Sequence, residues 1–199
     1  MNKVQIICDS TVDLTTKMYE TLGLRVVPLF VRFGEETYKD GVDIKPEEIY
    51  TKVEEKGELP ATAAISPEIF KEVIKEYYDQ GMDVVFIGIG SLLSGTLQTW
   101  LFVRQDFEDA ENRIFEVDSQ SLSTGSGLLV CKACKFRDEG KSAKEIAEEV
   151  SKLVPNVSAK FCLVRLVYMK KGGRCSSFAA LMGTLLHIHP ILKMKEAKL

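Results

Sequence analysis

Three hydroxyl side chains, Ser91, Ser94 and Thr96, stand close together directly after the apolar run Val84-Val85-Phe86-Ile87, with Gly88, Gly90 and Gly95 among them. The abrupt change from apolar to small residues reads as a buried strand over 83–89, a tight loop, and a helix over 96–107. A helix start turns unpaired backbone N–H groups and the positive end of the helix dipole toward whatever lies in front of it, and the hydroxyls add further donors. An anion is the natural occupant. Two other strand ends carry comparable residues, Asp9-Ser10-Thr11 and the stretch from Asp118 to Ser126.

Several chemistries that share this appearance fit poorly. Gly88-x-Gly90 begins like a dinucleotide fingerprint, but Ser94-Gly95 arrives too late for G-x-G-x-x-G, and no G-x-x-x-x-G-K-[ST] occurs. A nucleophilic Ser94 would need glycines two before and two after it, where Leu92 and Thr96 stand, and a base, for which only His187 and His189 are on offer. A nucleotide- or phosphate-binding enzyme using the helix N-terminus at Ser94-Gly95-Thr96 remains the alternative to a simple anion-binding protein.

The elements that must position these residues follow from periodicity and punctuation. A strand over 4–8 ends at Asp9; a helix over 14–22 begins after Asp13 and stops at Gly23. The run from Arg25 to Phe33 is rich in β-formers, and Gly34-Glu35 turns it back as a hairpin, with Pro28 demanding an edge or a bulge. Pro46 opens a helix that Gly57 closes, residues 59–66 form a loop of small residues, and Pro67 opens a helix to about residue 80. A strand over 113–117 precedes helices over 125–139 and 142–153, the second opened by the capping box Ser142-x-x-Glu145. Strands alternating with helices predict an α/β fold: a mostly parallel sheet flanked by helices, with ligands gathering beyond its carboxyl edge. After Pro155 the pattern changes to a long β-like run over 159–169, a basic glycine turn (Lys170 to Arg174), a helix over 177–186 and a last strand over 189–194. We therefore expect one domain over 1–155 and, over 156–199, the beginning of an α+β domain that is cut short.

Composition narrows the functional classes. Twenty-six basic and 29 acidic residues give a net charge of −3, so no basic excess suggests nucleic acid or an anionic membrane surface. No signal peptide, membrane span or metal-ligand pattern is read, and five cysteines without a disulfide-like spacing suit a reducing cytoplasm. Cys131-x-x-Cys134 lies in a helical stretch and reads as packing, as does Trp100. Asp9 and Asp118 read as loop caps that accept backbone N–H groups.

With these elements in place, the sequence resembles the DegV family of bacterial fatty-acid-binding proteins. The matching pieces, in order, are Cys8-Asp9-Ser10-Thr11-Val12-Asp13-Leu14, Val26-Val27-Pro28-Leu29, Tyr38-Lys39-Asp40-Gly41-Val42-Asp43-Ile44, Leu59-Pro60-Ala61-Thr62, Leu93-Ser94-Gly95-Thr96, Val117-Asp118-Ser119, Tyr168-Met169-Lys170-Lys171-Gly172-Gly173-Arg174 and Pro190-Ile191-Leu192. The resemblance implies an acyl chain buried between and beneath two domains. It also implies a carboxylate held by Thr62 and Ser94, with Gly95 and Thr96 completing that binding segment. The resemblance further implies Ser91, Lys171 and Arg174 as head-group or partner-facing positions. It implies a non-catalytic carrier with no cofactor beyond its long-chain fatty acid, presenting that ligand to a fatty-acid kinase, with no nucleic-acid or integral membrane contact. The chain departs from the family pattern at Ala63 and Ala64, at Gly90, and at Arg165 and Val167. Neither His187 nor His189 matches the histidine expected near the head group from the family's further C-terminal residues.

Overall fold

The computed structural model describes residues 2–162 and 191–194. From the N-terminus, β1 (Val4–Asp9) runs into a 3-10 turn at Ser10–Val12 and then α1 (Thr16–Thr21). Asp13 does not cap that helix; it closes the 3-10 turn at φ 49°, a left-handed conformation that aspartate tolerates, and Thr15 caps α1 by accepting the Met18 N–H at 3.3 Å. The run expected as one strand divides into β2 (Arg25–Val27) and β3 (Phe30–Phe33). Pro28 has no N–H to give, and the next one, on Leu29, goes to the Ser10 hydroxyl at 3.2 Å, so the chain leaves the first sheet there.

Gly34 (φ 57°) and Glu35 turn β3 into β4 (Glu36–Lys39), as expected. Helix α2 (Pro46–Lys56) ends on Gly57 at φ 68°. The expected loop over 59–66 instead contains a short strand, β5 (Ala61–Ala63), which pairs antiparallel with β3. There follow α3 (Pro67–Tyr78), β6 (Asp83–Gly88), α4 (Thr96–Arg104), a single turn α5 (Ala110–Arg113), β7 (Ile114–Asp118), α6 (Thr124–Asp138) and α7 (Ala143–Leu153). The Ser142/Glu145 capping box of α7 is formed on both sides. Strands β8 (Lys160–Cys162) and β9 (Ile191–Lys193) pair antiparallel. The glycine turn with Lys171 and Arg174, and the helix expected over 177–186, lie outside the described residues.

The protein is α/β. A parallel sheet ordered β2-β1-β6-β7 is flanked by helices, and a smaller antiparallel sheet is ordered β4-β3-β5. Strand alternation sorts the core onto two faces. Ile6, Cys8, Val85, Ile87 and Val117 meet α6 and α7 through Leu129, Val130, Ala133, Cys134, Ile146 and Val150. Ile7, Val84, Phe86 and Ile114 meet α3 and α4 through Phe70, Ile74 and Trp100. Trp100 is a core residue, stacked on Phe86 at 4.8 Å between ring centres and edge-on to Phe70 at 5.3 Å. Burial among these apolar neighbours pushes the Cys134 thiol up to about 11. Among the described residues no helix is long and apolar enough to cross a membrane.

Candidate functional site

Because β1, β6 and β7 are adjacent and parallel, the three hydroxyl-rich loops that follow them leave the sheet side by side. Hydrogen bonds tie them into one unit. Asp9, fully buried at the end of β1, accepts the Thr11 N–H at 3.0 Å and the Thr11 hydroxyl at 2.6 Å on one oxygen. Its other oxygen accepts the Ile89 N–H, just past β6, at 2.8 Å. Burial raises the Asp9 pKa; the hydrogen bonds from Thr11 and Ile89 pull the other way without reversing it. Gly88 is required here by close approach, since a Cβ on it would stand 2.2 Å from that same Asp9 oxygen.

The next turn is held from the β7 side. Gly90 donates its N–H to the Ser121 carbonyl at 2.8 Å, and a Cβ at Gly90 would meet the Ser121 nitrogen at 2.9 Å. Packing against Asp9 and Ser121 thus accounts for Gly88-x-Gly90 without a bound dinucleotide. Asp118 accepts the Ser91 N–H at 3.0 Å and the Ser91 hydroxyl at 2.6 Å, and also the Gln120 N–H at 3.1 Å. Asp9 and Asp118 are therefore the loop caps that their positions suggested. The proton of Ser91 is committed to Asp118. Behind them the buried Ser119 hydroxyl donates to the Gly88 carbonyl at 2.7 Å and accepts the Ser121 N–H at 3.2 Å.

The loop then closes toward α4. Leu93 and Ser94 donate their N–H groups to the Gly90 carbonyl at 2.9 and 3.3 Å. The half-buried Ser94 hydroxyl lies 2.9 Å from the hydroxyl of Thr96 and accepts the Thr96 N–H at 3.2 Å, which satisfies one of the free donors at the helix start. Gly95 is exposed at φ −72°, ψ 0°, and a Cβ there would meet nothing within 4 Å among the described residues, so neither backbone strain nor crowding by those residues explains it. Thr96 itself is fully buried.

Thr62 occupies a different setting. It sits opposite Val31 on β5, the edge strand of the small sheet, with its side chain exposed. Its hydroxyl has no hydrogen-bond partner among the described residues. No hydrogen bond joins Thr62 to Ser94, but their supports share one core: Ile65, just beyond β5, is buried in the same cluster as Leu97 and Trp100 of α4. A cleft of about 350 Å³ opens beside Gln120 and Ser121, with Val154, Val157 and Met194 as apolar lining and Lys193 at its border. Among the described residues no group of histidine, cysteine and acidic side chains is arranged to hold a metal.

Sequence reasoning placed the hydroxyls and read the two aspartates as caps, but missed which distant N–H and hydroxyl groups they accept. The Ser91–Asp118 and Asp9–Ile89 contacts join residues 27 and 80 positions apart. The signal available was an aspartate at each of two strand ends, followed by small residues.

A family model described as an uncharacterised protein of the DegV family matches residues 3–199. A DegV domain-containing protein of Caldanaerobacter subterraneus subsp. tengcongensis is 36% identical over 199 residues, covering 100% of this chain and 70% of the relative. Among solved structures, a Thermus thermophilus DegV family protein described for its fatty-acid binding is 34% identical with a TM-score of 0.85, covering 98% of this chain and 69% of that one. A fatty-acid (stearic acid)-binding protein of Eubacterium ventriosum is 30% identical with a TM-score of 0.84, covering 100% of this chain and 68% of its own.

Proposed function

The chain belongs to the DegV family, and from that premise we propose that it binds a long-chain fatty acid. The carboxylate lies at Ser94 and Thr62, and the acyl chain runs into the apolar interior. The observation that carries the reading is the pairing of a donor-rich strand–loop–helix junction at Ser94-Gly95-Thr96 with relatives of the same fold that are named for fatty-acid binding.

The energetics assign different jobs to the two ends of such a ligand. Burying about fourteen methylenes at roughly 0.8 kcal/mol each is worth on the order of 11 kcal/mol gross, from which ordering and lost rigid-body freedom take roughly 4–15 kcal/mol. A charge-assisted hydrogen bond at the head adds about 1.5–3 kcal/mol. The tail supplies affinity; the hydroxyls supply register and head-group choice. In this reading the protein is a carrier rather than an enzyme, and it presents the exposed carboxyl end to a fatty-acid kinase. Lys171 and Arg174 would serve that partner-facing side.

Protein purified from bacteria should carry fatty acids detectable by mass spectrometry after extraction, and Ser94→Ala combined with Thr62→Ala should lower their occupancy several-fold. Full retention in the double variant would remove these two hydroxyls from the head-group site. A wild-type protein free of acyl lipid that also fails to take up added palmitate would remove the function itself.

A further inference from the structure

We infer that Thr96 is a positioning residue, one that never touches the ligand but sets the Ser94 hydroxyl as a pure donor aimed at the head group. The inference rests on the fatty-acid reading and specifies how that site selects a carboxylate.

The argument is one of hydrogen-bond accounting. The hydroxyls of Ser94 and Thr96 lie 2.9 Å apart, and geometry alone permits either to donate. Their surroundings differ. Thr96 is fully buried, and its hydroxyl has no other partner among the described residues. If Ser94 donated to Thr96, the Thr96 proton would be left inside the protein with no acceptor, an expensive arrangement. Thr96 must therefore donate to Ser94.

Ser94 oxygen already accepts the Thr96 N–H at 3.2 Å. With the Thr96 hydroxyl as second donor, both of its acceptor sites are filled, and its single proton is left to point away from the helix. Ser94 is only half-buried on its outward side, and among the described residues Gly95 beside it has no neighbour within 4 Å of where a side chain would start. A group presented to Ser94 from that side can only accept. A carboxylate does so on either oxygen; a head group that must itself donate finds no acceptor at this oxygen.

The test compares Thr96→Val, which keeps the shape and removes the hydroxyl, with Thr96→Ser, which keeps it. Each is titrated with palmitic acid and with hexadecanol, whose hydroxyl can donate or accept. Thr96→Val should lose about tenfold in palmitate affinity, the scale of one charge-assisted hydrogen bond, while hexadecanol binding holds or improves. The ratio between the two ligands thereby collapses, and Thr96→Ser should restore it. Equal weakening of both ligands, or unchanged palmitate binding in a folded Thr96→Val protein, would overturn the inference. Neutron diffraction on crystals grown from the wild-type protein supplies a reading that needs neither variant nor ligand. Deuterium on the Thr96 oxygen directed at Ser94 is expected, and deuterium on Ser94 directed at Thr96 overturns the inference. A protein that binds no acyl ligand but shows the expected deuterium loses the fatty-acid reading and keeps the proton arrangement.

Discussion

Ser94 and Thr62 carry the same functional group on supports built in opposite ways. Ser94 stands at the end of a loop pinned at Ile89 by Asp9, at Gly90 by Ser121 and at Ser91 by Asp118, and it leans on the buried Thr96. Thr62 stands on a three-residue strand that, among the described residues, is paired on one side only, between Ala61 and Ala63, with its side chain exposed. The first hydroxyl is preorganised, its orientation fixed when the protein folds. The second has no partner among the described residues to fix it and rides on a strand with little side-chain packing of its own. A ligand that touches both meets one side of its site already formed and must order the other. Preorganisation of this kind lowers the entropic cost of binding at the fixed partner and leaves that cost in place at the mobile one.

The largest effect expected from this contrast is on stability. Asp9→Ala strips acceptors from two backbone N–H groups, those of Thr11 and Ile89, at about 1–3 kcal/mol each, less the relief of no longer burying a carboxyl group. A net loss of about 2–4 kcal/mol, read as a lower urea midpoint, is the expected outcome. Thr62→Ala removes only an exposed hydroxyl and should stay within about 0.5 kcal/mol of wild type. Comparable losses in the two variants would mean that β5 is anchored as firmly as the loop.

The next effect is on binding. If both hydroxyls reach the carboxylate, Ser94→Ala should weaken palmitate by about 10–100-fold, the worth of a preset charge-assisted bond. Thr62→Ala should cost less, about 3–10-fold, because part of its bond energy goes into ordering β5. Calorimetric titration of the single variants checks this ranking, and equal or reversed losses break it.

How far these supports could be read from the amino-acid sequence depends on whether the controlling contact is local. Helix α2 is bounded by its own Pro46 and Gly57, and α7 opens on its own Ser142 and Glu145, so both were legible. The alternation that sorts Ile6 and Cys8 from Ile7 is likewise a property of one short segment. By contrast, β5 is a strand because Val31 and its neighbours offer it a ladder; Leu59 to Ser66 has too few β-formers to show it. The division of the run from Arg25 to Phe33 was half legible: Pro28 announced a break, but not that Ser10 would take the following N–H. At the site, hydroxyl and glycine positions were visible, whereas the bond between Thr96 and Ser94 depends on helix geometry and on burial of Thr96.

The smallest expected effect tests the buried end of the clamp by pH. Burial raises the Asp9 pKa above the ordinary aspartate value against the opposing pull of Thr11 and Ile89. The folded protein therefore holds this proton to higher pH than the unfolded chain does. Below the ordinary aspartate value both states are protonated, and the stabilising contribution is fully present. As pH rises from there through the raised native value, folding takes up a proton, the slope of stability with pH is negative, and the contribution is lost. The surface carboxylates Glu36, Glu68, Glu145 and the partly exposed Glu149, whose pKa values are lowered by hydrogen bonds, slope the other way and mask it in the wild-type profile alone. Subtracting the Asp9→Asn profile cancels them. The stability advantage of wild type over Asp9→Asn, taken from urea midpoints, should be greatest at the acid end, shrink as pH rises through the native Asp9 value, and then level off. The same subtraction with Thr62→Ala should be flat, since no titrating group is lost. An Asp9→Asn difference that is flat as well, or that grows with pH, would show that burial does not outweigh the hydrogen bonds on that carboxyl, and the two supports would then no longer differ in the electrostatic cost of holding a hydroxyl in place.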